Sequence, residues 1–234
     1  LYEKKESREI ECVFIPDVAS NLDENNIRTD LEQLRDGFSQ MNQVTNSIEE
    51  IKGFKDVKDY SEHIEIYSDI SWDSIYKTKQ ELSGDISDIL FGLRKGEVFG
   101  PYRDGNTFKI SRMIEKKRDG NLNKVLIADI VKEIIPSNES SNTNYRSASQ
   151  AEFDGNNDLP LNNSNLSLFV DSFESFEKFD AGLPSYTNSR QVIKWLYEDP
   201  TRVGDVKRFT LNEGYLVAKV KSFNKKSLPS VEEV

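Results

Sequence analysis

Residue types able to do covalent or metal chemistry are scarce in this chain. Its 234 residues include one cysteine, Cys12, and one histidine, His63. A structural zinc centre takes about four thiolate or imidazole ligands, more than this pair supplies. A nucleophilic triad would have to use His63 as its sole imidazole. His63 lies between Glu62 and Ile64 in a loosely alternating stretch and reads as a surface or half-buried side chain. A disulfide needs a second thiol; Cys12, on an apolar strand face, reads as a small buried residue. The carboxylates of Glu49/Glu50 and Glu232/Glu233 are adjacent in sequence and read as solvated. Asp69, Asp73 and Asp85 lack calcium-loop spacing. Gly92, Gly96, Gly100 and Gly105 lack the Lys-Ser/Thr of a phosphate loop and read as turn and cap glycines. No cofactor and no metal are expected.

Charge narrows the partners. Thirty-one Lys plus Arg against 41 Asp plus Glu give a formal charge of −10. Nucleic-acid binding rests on a basic face, so it is not expected; an acidic balance reads first as solubility, with poor binding to anionic surfaces or a fit to basic, unfolded clients as the alternative. No apolar run approaches the roughly 18 residues of a membrane span. Aromatic residues offer the other kind of chemistry. Phe91, Phe99, Tyr102 and Phe108 fall in one hairpin region, and Phe169, Phe173, Phe176 and Phe179 in another. Such clusters form core by default; exposed along a groove, they would take extended apolar segments, with strand addition at a hairpin edge as one mode.

These residues need elements to position them. Arg8 to Ile15 alternates as a strand, with Ile10, Cys12 and Phe14 on one face. Leu22 to Met41 reads as an amphipathic helix, Ser47 to Phe54 as a shorter one, and Asp59 to Tyr67 as ambiguous. A short helix runs from Ser83 through Phe91 to the cap at Gly96. Val98 to Tyr102 and Thr107 to Ile114 read as a hairpin around Asp104-Gly105. Arg118 to Asn123 reads as a connector and Lys124 to Ile135 as a β-branched strand stopped by Pro136. Ser137 to Ser167, rich in Asn and Ser, reads as a polar helix plus loop or a partly disordered stretch. Ser189 to Tyr197 reads as a helix, and Val206 to Leu211 with Gly214 to Val220 as a second hairpin.

The two halves repeat one plan. Gly96-Glu97-Val98 matches Gly204-Asp205-Val206, and Phe108 to Met113 matches Tyr215 to Val220. A period this long indicates two domains and not a solenoid, each with the strand-and-helix layering of the α+β class. The expected organisation is a first domain over 1–117, a linker over 118–123, a second domain over 124–226 and the opening of a further helix over 227–234. The chain starts without Met or an apolar signal core and reads as a mature or excised piece.

Leu93 to Tyr102 with Thr107 to Ile110 resembles the C-terminal half of a parvulin domain, and Arg8 to Ile15 resembles its first strand. In the second half, Lys132 to Ser137, Ser189 to Trp195, Gly204 to Val206 and Glu213 to Val220 resemble the last module of periplasmic folding factors of the PpiD/SurA type from Gram-negative bacteria. The resemblance implies two tandem parvulin-like domains, each a small, mostly antiparallel sheet packed with helices. It implies a periplasmic peptidyl-prolyl cis-trans isomerase (rotamase) family and a chaperone role in protein folding. The family's first-strand histidine falls at Cys12, and its second at Lys109 in one half and Leu216 in the other. These catalytic positions are therefore degenerate. Relatives of this kind carry a catalytic domain between their first and last modules; here Lys116 to Lys124 spans that join, so the domain is either lost or outside this sequence.

Three readings follow. The first is a chaperone module binding unfolded exported or outer-membrane proteins through Phe14, Phe91, Phe99, Tyr102 and Phe108. The second is an active prolyl isomerase, through an atypical site or a domain outside this sequence. The third is a fixed subunit of the envelope secretion or outer-membrane assembly machinery. Membrane attachment, if the PpiD pattern holds, would run through a segment outside this sequence to the inner membrane.

Overall fold

The computed structural model of the chain describes residues 5–82, 84, 86–165 and 167–225. It is an α+β structure with mostly antiparallel sheets, and its chain divides into two units. The expected helix opening over 227–234 lies outside the described residues.

The first unit joins the segment ending at Val18 to the segment beginning at Pro136. Its strands are β1 (Ser7–Pro16), β8 (Val170–Phe176), β9 (Val206–Leu211) and β10 (Gly214–Asn224), in the sheet order β8-β1-β10-β9. Two helices, α4 (Asn138–Asn156) and α5 (Arg190–Leu196), belong to it. Alternation along β1 divides the core between the two sheet faces. Ile10 and Cys12 pack with Val192, Ile193, Trp195 and Leu196 of α5, while Val13 and Ile15 pack with Ala148 and Ala151 of α4. The Asn/Ser-rich stretch is thus a polar helix plus loop. Ser137 caps α4 by accepting from the Ser140 N–H at 3.2 Å, and a face of small residues holds the helix to its core.

The second unit is Ala19–Ile135. It contains α1 (Asn21–Asp36), the hairpin β2 (Gly37–Asn42) and β3 (Ser47–Lys52), α2 (Tyr60–Tyr67), β4 (Tyr76–Thr78), α3 (Ser87–Gly92), β5 (Val98–Asp104), β6 (Thr107–Asp119) and β7 (Leu122–Glu133). Its main sheet runs β4-β7-β6-β5. One face packs Phe108, Ile110, Ala128 and Ile130 against Leu31, Leu34 and Ile64 of α1 and α2. The other packs Met113, Val125 and Ile127 against Leu90 of α3.

Several sequence expectations are corrected. The α1 helix, opened by a reciprocal Ser20/Asp23 capping box, stops at Asp36 and not Met41. At Gly37 the backbone turns to φ 92° and starts a hairpin, which also replaces the helix expected over Ser47 to Phe54. Gly53 crosses Gly37 so closely that a Cβ on Gly53 would lie 2.5 Å from the Arg35 carbonyl oxygen. Helical periodicity over 22–41 continued through these residues, but only two glycines permit the crossing that ends the helix. Residues 118–123 are no linker: they turn β6 into β7, with Gly120 at φ 60°.

The domain boundaries at 117 and 124 also fail, for a topological reason. The halves do repeat, down to individual bonds. Gly96 N–H donates to Met113 O at 2.7 Å and Met113 N–H to Glu97 O at 2.9 Å; Gly204 N–H donates to Val220 O at 2.9 Å and Val220 N–H to Asp205 O at 3.0 Å. Glu97 accepts from the Arg94 N–H as Asp205 accepts from the Arg202 N–H, at 2.6 and 2.7 Å. Yet the repeats have exchanged their first strands. The β1 strand pairs with the second hairpin through β10, and β7 pairs with the first hairpin through β6. Each sheet keeps the same order of roles, but the units are Ala19–Ile135 and the two flanking segments, not two consecutive domains.

Candidate functional site

In the Ala19–Ile135 unit, the sheet face under α3 is the richest in chemistry. The β5 strand carries a bulge: Phe99 pairs with Ser111 and Tyr102 with Lys109, so Gly100 and Pro101 stand against Ile110 alone. A regular strand would send Phe99 and Tyr102 to opposite faces. The bulge puts both on the α3 face, where their rings stack with centroids 5.5 Å apart. Gly100 makes the bulge possible: its φ is 118°, and an added Cβ would meet the Lys109 carbonyl oxygen at 2.6 Å. The Arg35 guanidinium donates to the Gly100 carbonyl at 2.5 Å and holds the distortion from behind.

Beside these rings lies a polar chain. Ser111 Oγ donates to Asp129 Oδ1 at 2.5 Å, and the Tyr102 hydroxyl lies 2.7 Å from Ser111 Oγ. The serine proton being committed to Asp129, Tyr102 is the donor to Ser111. Burial pushes the Asp129 carboxyl above its ordinary pKa, opposed by the Ser111 hydrogen bond and by Lys109. Burial also pushes the Tyr102 hydroxyl well up. Lys109 reaches away to Asp104, 2.6 Å from its Oδ2. Ser111 is buried and its hydroxyl is held by the Asp129 carboxyl. What the face offers is an apolar wall of Phe91, Leu93, Phe99 and Tyr102 around hydroxyl and carboxylate groups.

In the other unit, the corresponding face lies under α5. Cys12 pairs with Ala218 and with Asp171, and Phe14 with Leu216. Tyr186 donates to Asp171 at 2.5 Å, and its ring meets Phe14 at 5.2 Å and Phe173 at 6.3 Å. Cys12 is fully buried; burial, reinforced by Asp171 and Glu11, pushes its thiol up to about 12. A thiol so held stays protonated and unreactive at neutral pH.

The structure separates several residues that the sequence grouped. Cys12, Phe14 and Leu216 share one unit; Lys109, Phe91, Phe99 and Tyr102 belong to the other. Cys12 and Lys109, expected as one degenerate catalytic pair, are therefore not a pair. The strand position opposite Ser111, which Cys12 holds opposite Ala218, is filled by Asp129. Phe108 leaves the candidate set: it is 0% exposed on the opposite sheet face, under Leu31 and Leu34. Alternation puts it there, one residue out of phase with Lys109 and Ser111. His63 is buried and not a surface group, stacked on Phe54 and tilted against Tyr67. Burial, aided by Arg112, lowers its pKa.

Asp129, Ser111, Asp171 and Tyr186 were not singled out from the sequence. One signal was present: Asp129 interrupts the longest β-branched run, Lys124 to Ile135, at a position where a core strand would carry an apolar residue. Among the described residues, no cluster of three or more His, Cys, Asp or Glu is placed to hold a metal ion, and no helix is long and apolar enough to cross a membrane.

No protein-family model matches the chain, and no curated protein matches it.

Proposed function

We propose that the chain is a periplasmic folding factor of the PpiD/SurA-like, parvulin-type peptidyl-prolyl cis-trans isomerase family, acting in this segment as a chaperone without its own isomerase site. Its clients are unfolded exported or outer-membrane polypeptides, and its full-length form attaches to the inner membrane through a segment outside this sequence. The observation that carries the reading is the α3 face, where a strand bulge brings Phe99 and Tyr102 together beside the buried Ser111 hydroxyl and the half-buried Asp129 carboxyl. An apolar wall with a few fixed hydrogen-bonding groups suits extended segments that share exposed apolar side chains but no sequence. The repeated sheet order and matched turns support two modules of one ancestry. The positions assigned to the family's histidines hold Cys12, Leu216 and Lys109, and the thiol is inert, which supports binding over isomerisation.

Light scattering of an unfolded outer-membrane protein diluted into buffer tests this. The chain is expected to suppress aggregation, and Phe99→Ala to weaken suppression while the variant keeps its circular dichroism. No suppression by the native chain overturns the reading. In a protease-coupled proline-peptide assay the chain is expected to leave the rate unchanged; acceleration would make this segment an isomerase.

A further inference from the structure

In the first unit, a cavity of about 350 Å³ opens between α4 and the loop that follows it, near the lower end of the range for small-ligand pockets. Its helical wall is Thr143, Arg146, Ser147 and Gln150, whose spacing puts them on one face of α4. Its apolar part is Ala151, with Leu161 and Leu168 from the loop. Helix and loop are tied together at the buried Asp154 carboxylate, which accepts from Gln150 Nε2 at 2.9 Å and from Ser164 Oγ at 2.6 Å. Asn162 Nδ2 donates to the Leu168 carbonyl at 3.0 Å and closes the loop on itself. These bonds fix the walls before any ligand arrives.

The hydrogen-bonding groups left over select the ligand. Thr143 and Ser147 donate to the carbonyls of Glu139 and Thr143, and Ser164 donates to Asp154. Their hydroxyl oxygens can then only accept, as can the Gln150 Oε1. Asn165 Oδ1 accepts from the Ser167 hydroxyl, which leaves the Asn165 amide N–H groups to donate. Arg146 makes no hydrogen bond or ion pair among the described residues. It is the one charged side chain in the lining, and no aromatic ring lines the cavity among the described residues. A guanidinium without a counter-ion calls for an anion, and a carboxylate matches its planar geometry. A phosphate would bring about two negative charges to one cation and nothing for the leucines. A sugar acid would find no ring to stack on. A free amino acid would set its ammonium near Arg146 with no carboxylate to pair it. The last residue of a polypeptide fits every group. Its carboxylate suits Arg146 and the Asn165 amide, its neutral backbone N–H suits the accepting oxygens, and an aliphatic side chain suits Leu161 and Leu168.

We propose that this cavity binds the carboxyl-terminal residue of a polypeptide when that residue carries a small aliphatic side chain. The site lies in the other unit from the α3 face and does not rest on the chaperone reading. Titration of the whole chain with an acetylated alanine-alanine-valine peptide bearing a free carboxylate tests it, read by calorimetry and by amide NMR shifts. Saturable binding is expected, weakening as salt rises, with the shifts centred on Arg146, Ser147 and Ser164. The same peptide amidated at its C-terminus is expected to bind about tenfold or more weakly, and so is the free-acid peptide to Arg146→Gln, because each change removes one side of a charge-assisted hydrogen bond. Arg146 is exposed and bonded to no described residue, so Arg146→Gln is expected to keep the native melting temperature. Free valine and inorganic phosphate are expected to bind more weakly by a similar factor. The proposal is overturned if the free-acid peptide does not bind saturably, if the amidated peptide or Arg146→Gln matches it, or if the shifts lie outside the cavity. Equal binding of free valine or phosphate would also overturn it, by making the cavity an unselective anion site. A Phe99→Ala variant is expected to bind the peptide normally, so failure of the chaperone reading and failure of this one are told apart.

Discussion

The exchanged first strands make a prediction about where the chain can be cut. A fragment spanning 1–117 retains β5 and all but the last two residues of β6 but loses β7, the strand that lies between β4 and β6. With β7 go the buried side chains of Val125, Ile127, Ile130 and Val131, along with Ile134 just beyond it. At about 2 kcal/mol for each fully buried aliphatic side chain, the lost burial is worth about 10 kcal/mol. That matches the entire stability of a typical domain, about 5–15 kcal/mol. The same fragment keeps β1, whose partners β10 and β8 are both missing, so the buried face of Ile10, Cys12, Val13 and Ile15 is left uncovered. A fragment spanning 19–135 retains every strand of its sheet and both of its cores. Urea unfolding followed by circular dichroism and tryptophan fluorescence from Trp72 is the assay. The 19–135 fragment is expected to give one cooperative transition with coincident probes, and the 1–117 fragment no transition. A cooperative 1–117 fragment, or a non-cooperative 19–135 fragment, would refute the assignment of strands to units.

Three further outcomes are expected. His63 has a lowered pKa in the folded unit, so below about 6.5 the unfolded chain takes up the proton first; its contribution is full above that pH and lost as pH falls, and His63→Phe should flatten the decline in melting temperature between pH 7.5 and 5.5. Gly53→Ala is expected to cost about 1–3 kcal/mol, because the new methyl group meets backbone at Arg35 and Asp36, whereas Gly92→Ala, which opens onto free space at the end of α3, should be neutral or slightly stabilising in the same urea titration. Cys12 should resist thiol reagents in the native chain and react only on unfolding, at a rate that follows urea concentration; rapid native labelling would contradict its burial.

Local structure was largely legible. The two hairpins announced themselves through Asp104-Gly105 and Asn212-Glu213-Gly214, whose turns need residues tolerant of positive φ, as the φ of 60° at Gly105 shows. The Gly-acid-Val steps at Gly96 and Gly204 were readable because their hydrogen bonds close within or beside the hairpin that follows. The α1–β2 boundary was misread because Gly37 and Gly53 are 16 positions apart, and neither alone signals that the backbones cross. The candidate site was half legible for the same reason. Phe99 and Tyr102 could be picked out as aromatic, but a period of two places them on opposite faces until the bulge is known. Phe108 was picked with them although alternation sends it to the other core.

By itself, then, the sequence determined the α+β class, the internal repeat, the hairpins and a supply of one Cys and one His, too few for a structural zinc site. It did so because these depend on composition and on contacts within a few residues. Which first strand completes which sheet was decided only in the tertiary structure. The β1 and β7 strands each alternate or run apolar and end near a proline, and backbone hydrogen bonds are the same for any partner. What distinguishes them is the fit of side chains across the pair, Cys12 against Ala218 in one sheet and Asp129 against Ser111 in the other. Such pairs, 206 positions apart in one case and joined by a side-chain hydrogen bond in the other, exist only once the chain has folded.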